Sequence, residues 1–252
     1  MSGQFRLAQI SDTHVRADDA SAAASQLMRA LEQAAKYRAD AIIITGDLVN
    51  DEGAAEYAVL AETIRNPPAP LFLLPGNHDD RALMRRLLPD VSYWPQEGPL
   101  SFAVETQPVR IVAVDQIVPG ETHGLLTEAG AAWLDDTLAA NPSKPTIVAL
   151  HHPPIATHDL LFDRIGLRDA KLFAHVVAKH QQILRVICGH HHRVAIGQCA
   201  HAPVVVAPST SWTYGLAMHE GQPIAPRTDE RPGWVLHAWT AESGLASHFM
   251  EI

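Results

Sequence analysis

At 252 residues, 47% of them hydrophobic and 19% charged, the chain can bury a sizeable core and carries no block biased enough for disorder. A net charge of −9, from 19 basic and 28 acidic residues, disfavours a protein that tracks nucleic-acid phosphates. Two cysteines exclude a disulfide framework and fit a reducing cytoplasm, and the longest apolar runs, such as 41–44 and 204–207, are too short to span a bilayer.

The N-terminal residues lack the basic and apolar regions of a secretory signal. Residues 6–11 read as a strand. Residues 21–38 have helical spacing, with Leu27, Leu31, Ala34 and Ala35 on one face. A β-branched run at 41–45 predicts a buried strand, and 54–65 a helix that stops before Pro67 and Pro68. A strand at 71–74 and a helix at 79–88 follow. Segments 100–105 and 109–114 read as a strand pair around Gln107-Pro108. Thr127 opens a helix with Leu134 and Leu138 on its apolar face. Next come a strand at 146–150, a helix at 169–179 and a strand at 184–188. The remainder reads as strands at 194–198, 204–207, 234–239 and 245–250 joined by loops. Alternating β and α, then strands, predicts an α/β sandwich with mixed sheets. A single domain over 1–252 is expected, with strands 234–250 completing a sheet or an interface.

The unusual count is histidine, at 15. The polar clusters follow strands, where α/β folds place ligands. Asp12 and His14 lie two apart on an extended chain and so share a side. Gly46-Asp47 follows the 41–45 strand, although Gly-Asp also reads as a turn. Gly76-Asn77-His78-Asp79 combines a turn glycine with three polar side chains; helix capping by Asn77 or Asp79 is the plainer use. His151-His152-Pro153-Pro154 ends a strand, as surface histidines in a loop also would. In Gly189-His190-His191-His192, His190 and His192 alternate to one face and His191 to the other. Two carboxylates, one amide and four imidazoles are too many for one tetrahedral metal but suit two metals sharing a carboxylate. Mixed N and O donors suit Mn, Fe, Zn or Co.

The ordered set Asp12-x-His14, Gly46-Asp47, Gly76-Asn77-His78-Asp79, His151 and Gly189-His190-x-His192 resembles the calcineurin-like metallophosphoesterases over roughly residues 4–208. Within them, the wording Ile10-Ser11-Asp12-Thr13-His14, Thr45-Gly46-Asp47-Leu48 and Pro75-Gly76-Asn77-His78-Asp79 is most similar to bacterial class III cyclic-nucleotide phosphodiesterases and glycerophosphodiesterases. The resemblance implies a four-layer α/β/β/α sandwich of two mixed sheets. It implies a first metal on Asp12, His14 and His192, a second on Asn77, His151 and His190, and Asp47 bridging. His78 would face the phosphate and protonate the leaving oxygen, while His152 and His191 would not bind metal.

The activity so implied is hydrolysis of cyclic nucleotides of the 3′,5′-cAMP type by metal-bound hydroxide. Glycerophosphodiesters, 2′,3′-cyclic nucleotides and a broad range of phosphoesters are the alternatives, and a noncatalytic scaffold is a remote one. The expected partner is a small phosphodiester and no nucleic-acid polymer, with a homodimer or higher assembly compatible. Asn77 and His78 are expected to touch substrate. Segments 50–57, 116–124, 155–167 and 212–231 are candidate rims, with His123, His158, Trp212, Tyr214, His219 and Arg227 in them. Trp212 stands where glycerophosphodiesterase relatives tend to carry a His after the turn that Pro208-Ser209-Thr210 resembles. Its indole is suited either to stack on a nucleobase or to pack in the core. Cys188 and Trp234 read as core, Trp239 and Phe249 as core or subunit interface.

Overall fold

A computed structural model describes residues 4–18, 20–88, 91–222 and 230–252. The first half alternates strand and helix: β1 (Gln4–Ile10), α1 (Ala20–Lys36), β2 (Ala41–Thr45), α2 (Ala54–Thr63), β3 (Leu71–Leu74) and α3 (Arg81–Leu87). Then come β4 (Phe102–Val104), β5 (Arg110–Ala113), β6 (Gly124–Leu125), α4 (Glu128–Ala139) and β7 (Thr146–Ala149). The chain closes with α5 (Leu160–Arg164), β8 (Leu167–Arg168), α6 (Ala170–Lys179), β9 (Ile183–Cys188), β10 (Ala195–Cys199), β11 (Ala202–Val206), β12 (Gly233–Thr240) and β13 (Gly244–Glu251).

Two mixed sheets result, ordered β13-β12-β1-β2-β3 and β10-β11-β9-β7-β5-β4. In the first, β1, β2 and β3 are parallel, and β12 joins β1 antiparallel. In the second, β5, β7, β9 and β11 are parallel, with β4 and β10 antiparallel at the edges.

Side-chain alternation along each strand builds the layers. On β5 and β7, Ile111, Ala113, Ile147 and Ala149 join the core shared with the first sheet. Their neighbours Val112, Val148 and Leu150 pack instead with Leu134 and Leu138 of α4 and Phe173 and Val177 of α6. On β12, Trp234 donates through its indole to Gln33 of α1 at 2.8 Å, while Val235 packs with Val205 of β11. Helices therefore cover one face of each sheet and the other faces meet, the expected α/β/β/α sandwich.

The predicted elements recur, with shifted ends. The third helix starts at Arg81, because Asp80, not Asn77 or Asp79, caps it by accepting from the Leu83 amide at 2.7 Å. Helix α5 and the two-residue pair β6–β8 are additions, both too short to give a periodic signal. Cys188 and Trp234 are core residues, whereas Phe249 is exposed on β13. The rim residue Arg227, with the rest of 223–229, lies outside the described residues.

Candidate metal centre

The ends of β1, β2, β7 and β9 deliver Asp12, His14, Asp47, His151, His190 and His192 to one place, nearly all of it buried. One potential ligand atom each from Asp12, His14, Asp47 and His192 lies within 4.8 Å of the others, and His151, His152 and His190 form a second such group. Asp47 stands between them. Its Oδ2 is 3.6 Å from His14 Nε2, and its Oδ1 is 3.3 Å from His151 Nε2. Oδ1 also accepts from the His78 amide at 2.9 Å, so the loop after β3 is pinned to the same carboxylate.

The loops carrying these groups are held in an uncommon conformation. Asp12, His14, Asp47, His190 and His192 all have positive φ, between 43° and 69°. A non-glycine residue adopts that region at a cost of order 1–3 kcal/mol, and such strain collects at functional sites. It points ligand side chains inward from turns that extended backbone could not make. Gly76 permits a close approach: a Cβ there would collide with the Asp47 carboxylate and backbone.

Hydrogen bonds orient the imidazoles. His151 Nδ1 lies 2.8 Å from the Thr45 carbonyl, and His192 Nδ1 lies 2.9 Å from the Trp212 carbonyl. Only an N–H can face a carbonyl, so both rings carry a proton on Nδ1 and aim Nε2 into the site. The Asp12 carboxylate is fixed by the His190 amide, at 2.9 Å and 3.1 Å to its two oxygens. Asp79 holds the loops together: it accepts from Gly76 and Leu48 amides at 2.8 Å and 3.0 Å and from the Tyr57 hydroxyl at 3.1 Å.

Burial dominates the titration of the centre. It holds His14 and His190 well below the usual imidazole range and lowers His192 to about 4, so these rings are neutral donors of lone pairs. Burial also acts against charge on His151, but Asp47 and Asp12 outweigh it and push its pKa up to about 9. Burial likewise opposes charge on His78, whose pKa is nevertheless raised by Asp47 and the Asn50 carbonyl, 2.7 Å from its Nδ1.

The buried polar atoms test whether metals fit. Among the described residues, His14 Nδ1, Asn77 Oδ1, His151 Nε2 and His190 Nε2 are buried without a hydrogen-bond partner. An unpaired buried polar group costs about 1–3 kcal/mol. His151 and His190 belong to the second group, and His151 Nε2 faces Asp47 Oδ1 at 3.3 Å, so imidazole and carboxylate donors of the kind that suit Mn, Fe, Zn or Co converge here. The residues present fit the group.

Six of the seven sequence-predicted ligands fall in these two groups, and Asn77 is half-buried on the loop that the His78 amide ties to Asp47. His152 is buried but bonded through both ring nitrogens to segment 116–124. His191 turns away, its Nε2 3.5 Å from Asp159 Oδ2 and its ring against Phe162. Trp212 lies over the His14 ring, centroids 4.4 Å apart. Sequence reasoning undervalued Asp79 as a capping residue and passed over Tyr57 and Gln116. A turn carboxylate followed by a second, better placed cap at Asp80 was the available signal for Asp79. Among the described residues, the rim histidines His123, His158 and His219 stand outside both ligand groups: His123 faces Glu121 at 3.5 Å, and His158 and His219 are exposed.

The calcineurin-like phosphoesterase profile matches residues 5–194. The glycerophosphodiester phosphodiesterase GpdQ of Enterobacter lignolyticus is 31% identical over 216 residues, 81% of this chain and 77% of that one. The 3′,5′-cyclic adenosine monophosphate phosphodiesterase CpdA of Vibrio vulnificus is 29% identical over 250 residues, 93% of this chain and 86% of that one. Among solved structures, a dimetal phosphatase from Danio rerio superposes with a TM-score of 0.71 at 14% identity, covering 98% of each chain, which supports the fold. No helix among the described residues is long and apolar enough to cross a membrane.

Proposed function

The chain belongs to the calcineurin-like phosphoesterase family and is a metal-dependent phosphodiester hydrolase, and from that premise we propose that its substrates are cyclic nucleotides of the 3′,5′-cAMP type. The observation that carries the nucleotide is the aromatic rim beside His192. Trp212 and Tyr214 lie with ring centroids 5.3 Å and 5.2 Å from it, and Phe162 is 5.8 Å from Tyr214. Flat rings flanking a phosphate-binding centre suit a planar base, and one stacking contact contributes about 0.5–1.5 kcal/mol. The CpdA relative, matched over 93% of this chain, supports the same substrate class.

Asp12, His14 and His192 would hold one metal, Asn77, His151 and His190 the other, with Asp47 shared. When bound, the metals supply Lewis-acid stabilisation of phosphoryl charge and make a hydroxide nucleophile available near neutral pH. Asp47 keeps the two halves in register, one carboxylate oxygen toward each. The Trp212 and Thr45 carbonyls prevent the His192 and His151 rings from turning. His78 is anchored through its amide to Asp47 and through Nδ1 to Asn50, so its Nε2 is the nitrogen free to hold a proton for the leaving oxygen. Such general-acid help is worth about 10²–10⁴-fold. The two free, buried cysteines accord with a reducing cytoplasm.

A turnover panel with Mn²⁺ tests the substrate: 3′,5′-cAMP, 2′,3′-cAMP, glycerophosphocholine, bis-p-nitrophenyl phosphate and p-nitrophenyl phosphate, with Asn77→Ala as control. The proposal requires 3′,5′-cAMP to give the highest kcat/KM among the natural esters. A higher value for glycerophosphocholine would replace the cyclic nucleotide with a glycerophosphodiester.

A further inference from the structure

His152 sits beside the candidate ligands, its ring centroid 4.3 Å from that of His190 and 4.9 Å from that of His151. Proton accounting separates it from them. Its Nε2 is 3.1 Å from the Thr122 carbonyl and so carries the proton. Its Nδ1 then holds the lone pair and accepts from the Gln116 amide at 3.2 Å. The same Gln116 amide donates to the His152 carbonyl at 3.2 Å. Both ring nitrogens are used, on two residues of one rim segment.

That segment is a closed loop. The Leu125 amide returns to the Gln116 carbonyl at 2.8 Å, and Ile117 and Gly124 form a bridge. Strand β6 then pairs with β8, tying the loop to the end of the 155–167 rim. Its near end is held from the other side by Arg81, which grips Asp115 and donates to the Ile117 carbonyl at 2.7 Å. Its far end rests on His152: Gly124 lies so close to the ring that a Cβ there would come within 2.5 Å of Nδ1. Between these two ties, residues 117–120 line a cavity of about 240 Å3 that Asn77 also lines.

We infer that His152 is a positioning residue that fastens the 116–124 rim to the metal-bearing end of β7 and so sets the wall of the cavity that Asn77 also lines, where an ester group beyond the phosphoryl would lie. The inference rests on the phosphodiesterase reading for what the cavity receives, but the tie itself is a property of the fold. Loss of the tie should loosen the wall and weaken substrate binding while leaving His151 and His190 in place to hold metal.

The test combines hydrogen exchange, metal content and steady-state hydrolysis of bis-p-nitrophenyl phosphate on the full-length, Mn²⁺-loaded chain. His152→Ala and Gln116→Ala should each speed exchange across 116–125 by roughly 10-fold or more, since opening there no longer breaks the side-chain ties. Both should retain the wild-type metal content and raise KM about 5–10-fold with kcat within about twofold, the mark of lost ground-state binding. His152→Gln, which keeps an amide donor for Thr122, should recover part of the protection. Unchanged exchange with unchanged KM would overturn the inference. So would a loss of metal and kcat at constant KM, which would make His152 part of the metal shell. Should His152→Ala not fold, Gln116→Ala decides, because it leaves the ring in place. If the wild-type chain cleaves no phosphodiester, the proposed function fails while exchange still decides the tie.

Discussion

The Nε2 atoms of His14 and His192 face each other 3.0 Å apart across 178 residues of chain. Burial keeps both rings neutral, and the Trp212 carbonyl takes the His192 proton on Nδ1. Two lone-pair donors converge with the Asp12 and Asp47 carboxylates, an arrangement that a shared cation satisfies. Replacement of one donor should therefore empty half the centre. His192→Ala is expected to lower bound metal from two to one per chain and kcat/KM by at least about a hundredfold, roughly 2.7 kcal/mol. Mass-spectrometric metal analysis beside turnover checks it, and a fully loaded, active variant would refute the assignment.

Metals that relieve buried, unpaired atoms should also stabilise the fold. Mn²⁺ at a hundred times its dissociation constant contributes about 2.7 kcal/mol per site. For a chain of this size, each kcal/mol moves Tm by about 2–4 °C. Chelation of loaded protein should lower Tm by at least about 5 °C, and Asp47→Ala should abolish most of the difference. Equal melting temperatures with and without chelator would argue against a structural share for the metals.

Asp79 and Tyr57 supply a prediction away from the ligands. The Tyr57 hydroxyl donates to Asp79 at 3.1 Å and accepts from the Asp80 amide at 2.9 Å, within a buried cluster. Tyr57→Phe removes one donor from the buried Asp79 carboxylate and the acceptor of the half-buried Asp80 amide, and should cost about 1–3 kcal/mol in urea unfolding. Because Asp79 keeps its amide donors from Gly76 and Leu48, the loops should hold their shape and metal content should stay unchanged.

The cluster of Asp12, His14, Asp47, His151, His190 and His192 was legible because each follows a hydrophobic run that marks a strand end. The sandwich was legible from alternation: Ile111 and Val112 fall in different cores because a strand turns successive residues to opposite faces. The supports were less visible. Gln116 and Tyr57 act through partners 36 and 22 residues away, and no local pattern encodes such pairings. Positive φ at Asp12, His14, Asp47, His190 and His192 is also hidden, because tertiary contacts impose it against residue preference.

Trp212 separates base recognition from phosphate recognition. Its backbone carbonyl orients His192, so substitution of the side chain leaves that hydrogen bond available. Trp212→Ala should raise KM for 3′,5′-cAMP about 2–10-fold, the equivalent of one stacking contact, with little effect on p-nitrophenyl phosphate. Equal loss on both substrates would show that the indole serves the His14 and His192 imidazoles it covers, not a base.

His237 predicts how stability responds to acid. It lies between the sheets with Nδ1 2.8 Å from Ser247 Oγ and Nε2 3.0 Å from Gln9 Oε1, and Gln9 donates onward to the Cys188 carbonyl at 2.8 Å. Burial, aided by Arg185 and His248, lowers its pKa to about 3. The folded chain therefore keeps His237 neutral where the unfolded chain, near 6.5, takes up a proton. Its contribution is complete above about pH 6.5 and is lost as pH falls toward 3, at about 1.4 kcal/mol per pH unit. His237→Asn removes this titration while keeping one donor and one acceptor. The gap in unfolding free energy between wild type and variant should thus narrow by about 1.4 kcal/mol from pH 7.5 to 5.5. The chelated protein is the right sample, since metal binding has its own pH dependence. A constant gap would mean that His237 titrates alike in both states, which would require water or a carboxylate at a ring that the structure surrounds with Ser247, Gln9 and β-sheet.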